Sequence, residues 1–167
     1  MLMNNTNTIN IQKIITDSTL NMFSTMLSMN LETPNEPACV EHHEFQFMGL
    51  VDLDGELISG LIVIGLTEEF GRIITARMLD QSVSEIQSTQ EIMDVSKEVC
   101  NIISGNLKSR LCDMGFSCRI TPPSVIQSKD YNLNSDDWMY SVCHLFHFEE
   151  HQFYVRSFFK GSVESFS

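Results

Sequence analysis

Positive charge is scarce in this chain: ten lysines and arginines stand against 22 aspartates and glutamates, a formal net charge of −12. A binder of nucleic acid or of an anionic membrane needs a basic surface to neutralise phosphates, so both partner classes are excluded. Only 19% of residues are charged, so the acidity is spread thinly and names no partner by itself. Long apolar runs are missing too. The most apolar stretch, Leu57 to Leu66, falls far short of the roughly 20 residues a membrane-spanning helix needs. The opening MLMNNTNTIN has neither the cationic start nor the apolar core of a secretory signal, so the chain is expected to be cytoplasmic. Its five cysteines (Cys39, Cys100, Cys112, Cys118, Cys143) are odd in number and show no CxxC spacing. That pattern predicts reduced thiols and argues against a disulfide framework.

Familiar catalytic signatures are absent as well. There is no phosphate-binding glycine loop, no GxSxG elbow and no HExxH helix. His144, His147 and His151 lie close together beside Cys143. Positions three apart on a strand point to opposite faces, so His144 and His147 are not expected to share a metal. No cysteine has the histidine partner that a thiol nucleophile needs, and structural thiols are expected.

What the chain does contain is a core. Its 167 residues are 43% hydrophobic, enough for one domain spanning 1–167 with loose ends at 1–8 and 161–167. A helical pattern runs from Ile9 to Met29, and Pro34 and Pro37 break it into a loop. His43 to Leu53 and Glu56 to Leu66 read as strands joined at Asp54-Gly55, a dipeptide suited to the positive φ of a tight hairpin. The second of these strands is apolar on both faces, which predicts a central, covered position. Thr67 caps a helix over Glu68 to Leu79, and a polar link from Asp80 to Gln87 follows. Phe116 to Thr121 reads as a short strand ended by Pro122-Pro123, which cannot donate to a ladder. After a polar loop from Lys129 to Asp137, Trp138 to Phe148 and Gln152 to Lys160 form a second hairpin around Glu149-Glu150-His151. Helices and antiparallel strands are segregated, so the predicted class is α+β with a single mixed or antiparallel sheet and packed helices. A helix followed by a hairpin in each half hints at duplication.

The longest element is Ser88 to Gly115. Ser88 and Glu91 have capping-box spacing, and Gly115 supplies a left-handed stop. Ile92, Val95, Val99, Ile102, Ile103, Leu107 and Leu111 recur at helical intervals and predict the buried face. Asn106 falls near that face and is expected to be a buried, hydrogen-bonded structural amide. Glu98 and Asn101 lie about 60° apart, away from the apolar face, with Asp94, Gly105 and Lys108 on the same outward stripe. Spacing alone does not distinguish such a pair from a solvated helix face.

The surrounding text does. KEVCNIISGNLKSRLCDMGFSCRITPPSVI resembles the CheX branch of the CheC/CheX/FliY family of chemotaxis phosphatases, in which an E-x-x-N pair precedes a small-residue step, a short strand and a Pro-Pro segment. The matching residues are Glu98 and Asn101, Gly105-Asn106 and Pro122-Pro123-Ser124-Val125. FMGLVDLDGELISGLIVIGLTEEFGRIITARML is similar to the family's hairpin and following helix. The resemblance implies a CheC/CheX-like fold and a phosphatase that dephosphorylates the phospho-aspartate of a CheY-type response regulator. Asn101 would hold the attacking water, because a neutral amide donates and accepts without repelling phosphate oxygens. Glu98 would pair with a receiver lysine; Asp94, Gly105 and Lys108 would line the docking surface. The resemblance also implies no cofactor of the chain's own, with Mg²⁺ supplied by the receiver, and a homodimer pairing through edge strands. TDSTLNMFSTM in the first helix carries no second E-x-x-N, so one site per chain is expected, and Gln127-Ser128 stands where the family often has glycine. The competing reading is a non-catalytic module that docks on a receiver or a flagellar-switch-like partner through the same helix.

Overall fold

The computed structural model describes residues 10–34, 44–132 and 137–161. The expected loose ends, apart from Gly161, lie outside these residues, as do Pro37, Cys39, the expected strand start at His43 and part of the polar loop. The element order is α1 (Ile11–Met26), β1 (Phe47–Gly55), β2 (Ile58–Leu66), α2 (Glu68–Leu79), α3 (Thr89–Asp113), β3 (Cys118–Ile120), β4 (Ser124–Gln127), β5 (Tyr140–Phe148) and β6 (His151–Gly161). The strands form one antiparallel sheet in the order β3-β1-β2-β6-β5, with β4 also on β1. This is the α+β architecture expected, and β2 is central and covered as its apolar sequence requires.

Alternation decides which strand faces meet the helices. Phe47, Val51 and Leu53 of β1, Ile62, Ile64 and Leu66 of β2, and Phe153, Val155 and Phe159 of β6 join α1, α2 and α3 in the main core. The opposite face holds a smaller cluster around Met48, Val63, Tyr154 and Phe158, flanked by Phe45, Tyr131 and Trp138. His144 sits next to α1, 3.2 Å from the Thr16 hydroxyl, and burial lowers its pKa. Phe146 takes the same core face, and His147 takes the other, as strand parity predicts.

The first hairpin departs from expectation. Its register pairs Leu53 with Gly60, so the chain reverses at Glu56-Leu57 and not at Asp54-Gly55. Asp54 and Gly55 are used by a third strand: they pair with Arg119 and Cys118 of β3. A Cβ at Gly55 would stand 2.5 Å from the Ser117 carbonyl oxygen, so the glycine admits a close backbone approach and supplies no positive φ. The second hairpin turns at Glu149-Glu150, with Glu149 at φ 53°, so His151 begins β6 and Gly161, expected in the loose tail, ends it. The first helix is shorter than its pattern: Met26, counted with the apolar positions, is 53% exposed where α1 ends.

Candidate functional site

The long helix forms as its sequence requires. Ser88 caps it, its hydroxyl accepting from the Gln90 N–H at 3.1 Å while Glu91 accepts from the Ser88 N–H at 3.2 Å. Gly115 stands at φ 92° just past its end. Ile92, Val95, Val99, Ile103, Leu107 and Leu111 are buried and Ile102 is half-buried. Asn106 is a correction: it is exposed, at the margin of the buried arc, and the interior polar positions of α3 are Ser96 and Ser104. Ser96 is satisfied by the Ile92 carbonyl oxygen at 2.6 Å.

One close approach fixes the back of α3 to the sheet. A Cβ at Gly49 of β1 would stand 2.1 Å from the Cys100 sulfur, so glycine lets that thiol seat there. Cys100 is 1% exposed, and burial pushes its thiol up to about 12, which makes it an inert packing group. Its neighbour Asn101 points the other way and is exposed, as is Glu98.

Opposite this stripe, the sheet edge is interrupted. β3 and β4 both pair with β1, at its far and near ends, and Pro122-Pro123 fills the gap between them. Prolines have no N–H to give the ladder, so the chain bulges there. Thr121 pins the bulge to β1, its N–H donating to the Asp52 carbonyl oxygen and its hydroxyl accepting from the Asp52 N–H, both at 2.9 Å. The sequence foresaw the prolines ending a strand but not the resumption of the ladder as β4.

Between bulge and helix lies an open cleft of about 430 Å³, lined by Asp94, Lys97, Glu98 and Asn101 on one side and Ile120, Thr121, Pro122 and Pro123 on the other. Three of the five residues singled out in the sequence meet here: Asp94, Glu98 and Asn101. Gly105 and Lys108 continue the stripe along α3 beyond the cleft lining. Lys97 and the proline wall were missed as site residues; the wall's signal was the Pro-Pro pair, and Lys97 gave none. Asp94 is held within the helix by the Gln90 amide at 2.9 Å and the Lys97 ammonium at 3.6 Å. Among the described residues, the side chains of Glu98 and Asn101 make no hydrogen bond or ion pair. Around Gly105, a Cβ would meet nothing within 4 Å. The cleft therefore presents a free carboxylate and a free amide one turn apart, with an unobstructed helix surface beside them.

The model of the family described as "Chemotaxis phosphatase CheX" matches residues 47–147, which includes both cleft walls. No curated protein matches the chain. Among solved structures, a CheC-like superfamily protein from Shewanella is 23% identical, with a TM-score of 0.77 over 92% of this chain and 99% of that one. The chemotaxis protein CheX of Vibrio vulnificus is 20% identical, with a TM-score of 0.77 over 91% of this chain and 97% of its own. A CheX-CheY-BeF3-Mg²⁺ complex from Borrelia burgdorferi contains a chain 19% identical, with a TM-score of 0.73 over 91% of this chain and 99% of that one.

Proposed function

The chain belongs to the CheX family of chemotaxis phosphatases, and from that premise we propose that it hydrolyses the phospho-aspartate of a CheY-type receiver with Glu98 and Asn101. The observation that carries the reading is the pair itself: both side chains are exposed in the cleft, and neither has an internal partner to satisfy. A polar stripe kept free on a rigid helix suits a surface completed by another molecule.

In this reading α3 enters the receiver's active site. The Asn101 side-chain oxygen accepts a hydrogen bond from a water and its NH₂ donates to a phosphoryl oxygen, which aligns the water with the scissile bond. The water oxygen bonds to phosphorus as the bond from phosphorus to the aspartyl oxygen breaks, releasing inorganic phosphate and restoring the carboxylate. Glu98 pairs with a receiver cation and sets the register. Asp94, 3.6 Å from the Lys97 ammonium, keeps that charge in the cleft lining near the incoming phosphate. Mg²⁺, proposed to come with the receiver, would supply charge neutralisation on the phosphoryl group. One aligned amide supplies roughly 10²-fold or more in rate. A homodimer is proposed to form through β5, which ends the strand order; sedimentation at several concentrations tests it.

Timed phosphate release from phosphorylated receivers of the same host tests the function. Acceleration by the wild type and its loss in Asn101→Ala are expected. Full activity in Asn101→Ala would overturn the assignment of the amide. Binding with no acceleration by the wild type would make the cleft a docking module instead.

A further inference from the structure

The stripe on α3 ends at a feature that phosphate chemistry does not use. Cys112, in the last turn of α3, is exposed, whereas Cys118, the first residue of β3, is 6% exposed. The Cys112 thiol donates to the Cys118 carbonyl oxygen at 3.9 Å, which brings the two cysteines together. The reversal between them is fixed by the backbone: the Gly115 N–H donates to the Cys112 carbonyl oxygen at 3.0 Å and the Phe116 N–H to that of Leu111 at 2.9 Å. Two free cysteines are thus brought together by a helix end and a paired strand.

We propose that Cys112 and Cys118 are an oxidation site at which a small peroxide closes a reversible disulfide between α3 and β3. The roles follow from exposure. Cys112 meets solvent and reacts first. Cys118 is shielded, and its thiol is pushed up to about 11, chiefly by burial and then by the adjacent Cys112, with Lys108 acting in the opposite direction. Such a group is a resolving thiol and a poor primary target.

The Cys112 thiolate attacks one peroxide oxygen, the O–O bond breaks, and hydroxide leaves, giving a sulfenic acid. The Cys118 sulfur then attacks the Cys112 sulfur. An S–S bond forms, the S–O bond breaks, and the hydroxyl leaves with the Cys118 proton as water. Two thiols lose two electrons in all, and one hydrogen peroxide becomes two waters. A thiol reductant of the glutathione or dithiol class reverses the step. The bond would tie the C-terminal end of α3 to the strand that leads into the Pro122-Pro123 wall.

The test treats the reduced, full-length protein with hydrogen peroxide, caps free thiols with iodoacetamide under denaturing conditions, and maps peptides by mass. The expected result is an intramolecular Cys112–Cys118 crosslink, a mass loss of about 2 Da, reversal by dithiothreitol, and loss of the crosslink in Cys112→Ser. In Cys118→Ala, Cys112 should go on to the sulfinic acid at the same peroxide dose. Because Cys112 is exposed, Cys112→Ser should fold, and a matching melt confirms it. The proposal is overturned if wild-type Cys112 reaches the sulfinic acid while Cys118 stays open to capping, or if Cys112 links only to another chain.

Discussion

Gly105 lies inside a 25-residue helix, where glycine is about 0.5–1 kcal/mol less favourable than alanine. Nothing in the fold asks for it. Its φ is not in the left-handed region, and an added Cβ meets no atom within 4 Å. Gly105→Ala should therefore stabilise the protein by about 0.5–1 kcal/mol, a melting rise of roughly 1–4 °C for a domain of this size. If a receiver packs its surface on this part of α3, the same Cβ intrudes on the complex. Overpacking a fitted contact costs about 1–3 kcal/mol, on the order of 10- to 100-fold in kcat/KM. Gly105→Gln should keep most of the gain in stability and lose more activity than Gly105→Ala. Thermal melts and dephosphorylation rates on the same preparations decide it. A stabilised variant with unchanged kcat/KM would refute the contact, and a destabilised one would refute the open environment deduced for the helix.

The two cleft residues should separate kinetically. Asn101→Ala is expected to lower kcat roughly 10²-fold at unchanged stability, and Asn101→Asp at least as much through repulsion of phosphate oxygens. Glu98→Gln should mainly raise KM and flatten its dependence on salt, as steady-state rates at several ionic strengths would show. Gly49→Ala should destabilise by about 1–3 kcal/mol in urea titrations, with much of the loss recovered by adding Cys100→Ala, because the clash is with that one sulfur. His144 gives a pH effect. Burial lowers its folded pKa below the unfolded value of about 6.5, so the unfolded chain binds more protons. Stability should be full above that value and fall as pH drops toward the folded pKa, and His144→Phe should flatten this limb of the stability profile.

Periodicity made most of the fold legible. The cap and stop of α3, the Thr67 cap of α2 and the central place of β2 all rest on local rules that tertiary packing left intact. The first hairpin shows where such rules run out. Moving its turn from Asp54-Gly55 to Glu56-Leu57 changes the register by an even number of residues, which leaves every side chain on its original face. Alternation is blind to that slip. It was decided by β3, a three-residue strand from a distant part of the chain that pairs with Asp54 and Gly55. Asn106 failed for a related reason: an angle on a helical wheel locates the apolar arc but not which stretch of its margin another element covers.

The cleft was legible only through resemblance, since an exposed Glu and Asn one turn apart look like any solvated helix face. The structure places both side chains in the cleft without internal partners. Side chains without internal partners have no rotamer fixed by the fold, so their aim must come from the backbone that carries them. That backbone is held close: Gly49 strips β1 of a side chain so that Cys100, the residue next to Asn101, can seat against the sheet. The opposing wall is pinned as well, through the paired bonds of Thr121 to Asp52. In the proposed reading, a partner would meet these two side chains at a spacing set by α3 and the pinned wall.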